Sequence, residues 1–223
     1  RMGSFGAPSD TIQPRRTLLI DLRGSESDWL ARMSKTTRHC FKVADQNDVK
    51  AVYSQDIEAF IRLMQQTGQR ASFGVHSPAY YRRAFELFSP SQSCALILAQ
   101  REGRNLAGVL IFRHGTRAHY LYGASSGEDR QLNPTYLIQL ESMRWAAAHG
   151  CEQYDLWGVP DADLEALESQ FAGRSDGLWG VYGYKRKFGG ELQRTVGAWR
   201  RVYQPALFAL YRWVTARRGG ESG

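Results

Sequence analysis

The sequence predicts a mixed α/β fold of the α+β type, with a central, mostly antiparallel sheet flanked by helices. Three observations carry this. Apolar runs with strand character alternate with amphipathic helical patterns along most of the chain. Three of those runs, at 94–100, 106–113 and 117–122, follow one another across the short, glycine-containing connections 102–105 and 114–116, as an antiparallel meander requires. The best helical pattern, 134–150, falls between that meander and one more strand at 151–157. The order is β α β α α β β β α β, then a hairpin and a last helix, which does not suit a doubly wound parallel sheet.

Each element has its own signal. Residues 1–16 hold Gly, Pro, Ser, Asp and Arg without a period and read as a linker or tail. The run TLLIDL at 17–22 reads as a buried strand that Gly24 breaks. Ser25 with Asp28 three residues later makes a capping box, and one helix is expected from there to about Asn47. Lys35, Arg38 and Lys42 share a surface of it at spacings of three and four. A strand follows at 49–53. Ile57, Phe60, Ile61 and Met64 then mark an amphipathic helix ended by Gly68, and Pro78 opens another helix to Phe88. After the meander, 123–133 is a polar loop. Pro134 opens PTYLIQLESMRWAAAHG, with Gly150 as its C-cap. Residues 161–171 read as a short surface helix, 178–199 as a hairpin turning at Gly189-Gly190, and 203–217 as an aromatic-rich helix with a basic tail.

Composition bounds the function classes. The chain has 223 residues, 43% hydrophobic and 23% charged, ordinary values for a globular domain. Its net charge of +7 makes an anionic partner plausible, whether nucleic acid, phosphorylated substrate or anionic membrane. Cys40, Cys94 and Cys151 show no CxxC spacing, so zinc ribbons and redox dithiols are not supported and buried free thiols are expected. No apolar run approaches the roughly 20 residues of a spanning helix, and residues 1–10 do not read as a signal peptide. A cytoplasmic location is the expectation. Three cations, Lys185, Arg186 and Lys187, stand between Tyr184 and Phe188. Such a run could hold a polyanion, and it is also what a solvated hairpin tip shows.

Six segments in this order resemble one family. They are TLLIDL with a helix ending in KTTRHCFKVA, then SFGVHSPAYY, YLYGASS, PTYLIQLESMRWAAAHG, YDLWGV and GYKRKFGGE. Together they resemble the FemABX-like peptidyltransferases, the peptidoglycan bridge-forming aminoacyltransferases, from about residue 17 to 211. The element order is similar to the GNAT acyltransferase fold, in which the strand after the meander splays from its neighbour beside the start of the long helix. In that family two GNAT-like domains sit in tandem. The resemblance divides this chain into a tail (1–16), the closing strand and helix of a shortened first domain (17–36), a GNAT-like domain (37–200) and a returning C-terminal helix with a basic tail (201–223).

The resemblance implies transfer of an amino acid from aminoacyl-tRNA to an amine of a peptidoglycan precursor, nucleotide- or lipid-linked. The aromatic and basic last helix could touch the inner face of the membrane, and docking on the first domain explains it better. It implies no metal and no cofactor beyond the aminoacyl-tRNA donor. This is aminolysis of an activated ester, which needs a neutral amine near the carbonyl and positive charge where the oxyanion develops. Lys185 matches the family's lysine before the FGG turn and is the expected stabiliser, with Asp155 as proton acceptor. Tyr184 and Lys187 are expected beside Lys185, Lys187 because alternate strand residues share a face. Arg70, His76, Tyr80 and Tyr122 are expected to hold the precursor, and Lys35, Arg38 and Lys42 to track tRNA phosphates. Each position also has a plain structural reading: a solvated lysine, a rim aromatic, an aspartate accepting backbone N–H groups, a solvated helix face. Two other functions stay open, an acyl-CoA-dependent N-acyltransferase and a non-catalytic module binding RNA or a partner protein. The loop GASSGEDRQLNP weakens the first, because Glu128 and Asp129 oppose a phosphate cradle.

Overall fold

A computed structural model of the chain describes residues 13–71, 74–197, 199 and 201–219. Most of the expected tail, residues 1–12, and the last residues, 220–223, lie outside them. Among the described residues the sheet has seven strands in the order β2-β3-β4-β5-β6-β1-β7. The strands are β1 (Arg16–Asp21), β2 (Lys50–Ser54), β3 (Cys94–Arg101), β4 (Arg104–His114), β5 (Arg117–Ser125), β6 (Gln153–Val159) and β7 (Glu191–Arg194). Every neighbouring pair is antiparallel except β5 and β6. Helices α1 (Glu26–Arg32), α2 (Lys35–Gln46) and α5 (Pro134–Ala148) belong to one face. There Ile97, Val109, Ile111, Tyr154 and Leu156 build the larger core. Helices α3 (Ile57–Ala71) and α4 (Pro78–Phe88) cover the other face over Leu96, Leu98 and Leu110. Three further helices follow, α6 (Leu164–Gln170), α7 (Trp179–Lys185) and α8 (Pro205–Gly219).

The expected α/β class and mostly antiparallel sheet are found, and the departures have local causes. The single helix expected after Ser25 is two. Ser25 and Asp28 form the capping box of α1. Ser34 then accepts from the Thr37 backbone N–H and starts α2 anew. Gly68 does not end α3, which runs on to Ala71. The strand β1 lies between β6 and β7. The stretch expected as a hairpin is a helix, α7, followed by a 3-10 turn at Arg186–Phe188 and by β7. Its alternating aromatics imitate a strand period, and Gly180 and Gly183 lower its helix propensity. Those glycines allow close packing: a Cβ at Gly180 would crowd the Ser175 carbonyl, and one at Gly183 would touch the Phe171 ring. The free thiols of Cys40, Cys94 and Cys151 are buried, as expected.

Candidate active site

The site exists because one strand pair comes apart. The parallel pairing of β5 with β6 runs only from Arg117↔Gln153 to His119↔Asp155. Beyond it the strands diverge, and a register shift between Leu110 and Ile111 puts a bulge in β5 at Leu121. The bulge reverses the side-chain alternation. Tyr120, opposite Ile111, packs on the α5 side, whereas Tyr122, opposite Leu110, packs on the α3/α4 side. A cavity of about 350 Å³ opens in the gap. His76, Tyr81 and Tyr122 line one side of it, and Tyr120, Tyr184 and Lys185 line the other.

Across the gap Trp157 closes the β6 side with a left-handed backbone at φ 62°. That conformation is costly for a bulky side chain, and Asp155 holds it. Its Oδ1 accepts from the Trp157 backbone N–H at 2.7 Å and from the Thr17 hydroxyl. Burial pushes the Asp155 carboxyl up, but the nearby His119, the Thr17 hydroxyl and the Trp157 amide outweigh it and hold the group below the ordinary carboxylate range.

Lys185 ends α7 with 7% of its surface exposed. Its Nζ donates to the Gly158 carbonyl at 2.8 Å and lies 5.9 Å from the centre of the Tyr120 ring. Burial lowers its pKa to about 8, against a smaller upward pull from Asp155. An ammonium has three donors and only one is used by Gly158, so the rest of its charge is available to the cavity. Tyr184 donates to the Thr135 carbonyl at 3.0 Å, which ties α7 to the first turn of α5. On the opposite wall His76 stacks on Tyr80 at 4.1 Å, and the Tyr80 and Tyr122 hydroxyls are 2.7 Å apart. A lysine inside a pocket that opens between splayed strands, facing a cluster of phenols, can stabilise negative charge on a bound group.

The sequence matches the FemAB family over residues 4–104 and 97–216. The chain belongs to the FemAB family. Its relatives include the lipid II:glycine glycyltransferase of Staphylococcus epidermidis, 22% identical over 95% of this chain and 64% of the relative. The protein of the same name from Staphylococcus aureus is 32% identical over 52% of this chain and 25% of the relative. The chain therefore spans less than two thirds of the curated relatives it matches. Among solved structures, FemX superposes with a TM-score of 0.79 at 20% identity, covering 93% of this chain and 66% of FemX. L-PGS from Bacillus licheniformis gives 0.56 at 11% identity over 95% of this chain and 67% of that one. At these identities the superpositions speak to fold alone, and they agree with the mixed α/β fold and mostly antiparallel sheet that the sequence predicts.

Within this FemAB chain the structure gathers His76, Tyr122, Tyr184 and Lys185 into one cavity and sets Tyr80 against its rim. It places the other expected site residues elsewhere. Lys187 does not share the Lys185 side, because successive residues of a helical turn point in different directions rather than alternating. Its charge acts on Cys40, and its carbonyl accepts from the Ser34 N–H and the Thr37 hydroxyl. Arg186 pairs with Glu168. Asp155 stands behind the Thr17 hydroxyl and the Trp157 backbone and does not line the cavity, so the direct proton acceptor expected of it is not what the geometry offers. Arg70 is bonded to the Ser125 and Ser126 carbonyls and to the Ser125 hydroxyl, which makes it a brace for the loop after β5. Arg38 caps the end of α1 through the Leu30 and Met33 carbonyls, leaving Lys35 and Lys42 as the exposed cations of the stripe. Tyr120 and Trp157 were not singled out from sequence. Only a tyrosine spaced two residues before Tyr122, and a Trp-Gly pair at a strand end, hinted at them.

Proposed function

We propose that this cavity is an aminoacyl-transfer site that moves an amino acid from aminoacyl-tRNA to an amine of a peptidoglycan precursor peptide, in the formation of cell-wall bridges. The observation that carries the proposal is the buried Lys185 ammonium at the splay of β5 and β6. The neutral amine of the acceptor attacks the ester carbonyl, forming a C–N bond and an oxyanion that Lys185 stabilises. The bond to the ribose oxygen then breaks, and the proton lost by the amine leaves on that oxygen. Tyr122 and Tyr80, with His76 stacked beside them, present polar groups to the acceptor. Family membership and relatives named lipid II:glycine glycyltransferases support the acceptor class. The net charge of +7 and the exposed Lys35 and Lys42 suit an RNA-borne donor.

The polar loop before α5 favours this over acyl-CoA. A turn of 3-10 helix at Arg130–Leu132 fills it, and Arg104 pairs with both Glu128 and Asp129 there. The test is transfer itself. Incubation with aminoacyl-tRNA and an amine-bearing precursor peptide should add one amino-acid residue to the peptide mass, and acetyl-CoA should add nothing. Acetylation without aminoacyl transfer would overturn the reading.

A further inference from the structure

Aminolysis needs a neutral amine, and an alkyl amine carries a proton at neutral pH. The Lys185 charge repels such an ammonium, so the proton has to be lost on the way in. A second hollow of about 340 Å³ adjoins the Lys185 cavity and shares Leu121 and Tyr122 with it. Among the described residues no aspartate or glutamate lines either space. Their imidazoles are His76, His114 and His119, and among the described residues only His119 pairs with a carboxylate. His119 is the last residue of β5 before the strands part, opposite Phe112 of β4 and Asp155 of β6. It therefore shares the α3/α4 side of the sheet with Phe112 and Tyr122. Its Nδ1 is buried and faces the Asp155 Oδ2 at 3.6 Å, while 23% of the side chain stays exposed. The other oxygen of Asp155 already accepts from Thr17 and from the Trp157 amide, which leaves Oδ2 for His119. The His119 ring meets Trp157, a wall of the Lys185 cavity, edge-on at 5.9 Å. Arg117, two residues earlier on the same side, directs its guanidinium to Gln153 at 2.9 and 2.6 Å.

We propose that His119, backed by Asp155, takes the proton from the acceptor's ammonium group as the acceptor passes Tyr122 towards Lys185. The proposal rests on the aminoacyl-transfer reading of the first cavity. An ionised Asp155 favours the imidazole with its proton on Nδ1, which leaves the lone pair on Nε2, the ring nitrogen turned away from the carboxylate. A proton moves from the acceptor nitrogen to Nε2, giving a neutral amine and an imidazolium whose charge Asp155 offsets. The 3.6 Å gap between them is one that a charge-assisted hydrogen bond closes once the ring is protonated. The amine then forms the C–N bond and its second proton leaves on the ribose oxygen. His119 returns its own proton to water at its exposed edge.

Two acceptor peptides that differ only in the basicity of the acceptor amine test this. One amine has the pKa of a lysine side chain, about 10.4, and the other that of an α-amine, about 7.8. At pH 7 the first is almost wholly protonated, and a useful fraction of the second is already neutral. His119→Gln should therefore lower kcat at least about 100-fold with the basic amine and less than about 10-fold with the weak one, at near-parental KM. A partly unfolded variant loses activity towards both peptides alike, so the ratio of the two losses decides the matter whatever the stability. Added imidazole should restore part of the rate of His119→Gly with the basic amine. Equal losses with the two amines would overturn the role and make His119 a support for Asp155 and Trp157, with the transfer reading intact. A parental kcat for the basic amine would overturn it as well. If the wild type transfers to neither peptide, the transfer reading fails and the proton acceptor falls with it.

Discussion

The proposed chemistry turns on the cost of burying one ammonium. Bringing the Lys185 pKa from 10.5 to about 8 corresponds to about 3 kcal/mol of unfavourable burial for the charged form. The unfolded chain holds that proton more tightly, so stability contributed by this group rises as pH climbs from about 8 towards 10.5 and is flat below. The proposed catalytic role has the opposite sign: if transfer uses the Lys185 ammonium, it should decline as pH rises through about 8, measured as kcat against pH. Lys185→Met should keep the fold, with a melting temperature at or above that of the parent, because the uncompensated charge is gone.

Gly123 makes a sharper packing prediction. A Cβ there would overlap the Tyr120 hydroxyl and ring, so Gly123→Ala should displace Tyr120 and cost about 1–3 kcal/mol in a denaturant melt. At this scale the sequence was partly legible. The aromatic-lysine-FGG pattern pointed to Lys185, and the four-residue step from His76 to Tyr80 marked a real stack. The bulge at Leu121, which sends Tyr120 and Tyr122 to opposite faces, left no mark in a side-chain pattern read as simple alternation.

At the scale of elements, the turn after α7 anchors the site to the first helices. Gly189 has φ 74°, and a Cβ there would collide with the Arg32 carbonyl. The Ser34 N–H and the Thr37 hydroxyl both donate to the Lys187 carbonyl at 3.0 Å. The start of α2 thus holds the end of the segment that carries Lys185. Ser34→Ala removes the cap of α2 and should cost about 1 kcal/mol in a thermal or denaturant melt. The backbone N–H of residue 34 and the Thr37 hydroxyl still hold the Lys187 carbonyl in this variant, so transfer should fall no further than the loss of stability explains. Helix starts were readable where a side-chain cap precedes an apolar pattern, as at Ser25 and Pro78. They were hidden where a second cap sits inside a continuous helical pattern, as at Ser34. The helical state of α7 was hidden for a related reason: close contacts with Ser175 and Phe171 override a sequence that favours a strand.

At the scale of the whole molecule, the sheet order explains why so little chain makes a site. The strands β1 and β7 extend the sheet beyond β6, so β6 is supported on its far side where it leaves β5. Beyond the sheet, α8 presents Leu207, Leu210, Tyr211 and Trp213, each more than half exposed. Contact with a membrane surface is one reading of that helix and docking on a first domain is the preferred one; no described helix is long and apolar enough to cross a membrane. The exposed Lys35 and Lys42 bear on the donor. If they follow RNA phosphates, Lys35→Ala with Lys42→Ala should weaken tRNA binding and reduce the slope of log affinity against log salt by about 1–2. An unchanged slope in fluorescence anisotropy would remove them from the donor path.

The central claim concerns Lys185, and single-turnover transfer from aminoacyl-tRNA to a precursor peptide tests it most directly. The account predicts that Lys185→Met loses at least about 100-fold in rate, the usual size for a lost oxyanion stabiliser, while tRNA and peptide binding and the melting temperature hold. A variant that turns over at the parental rate would contradict it.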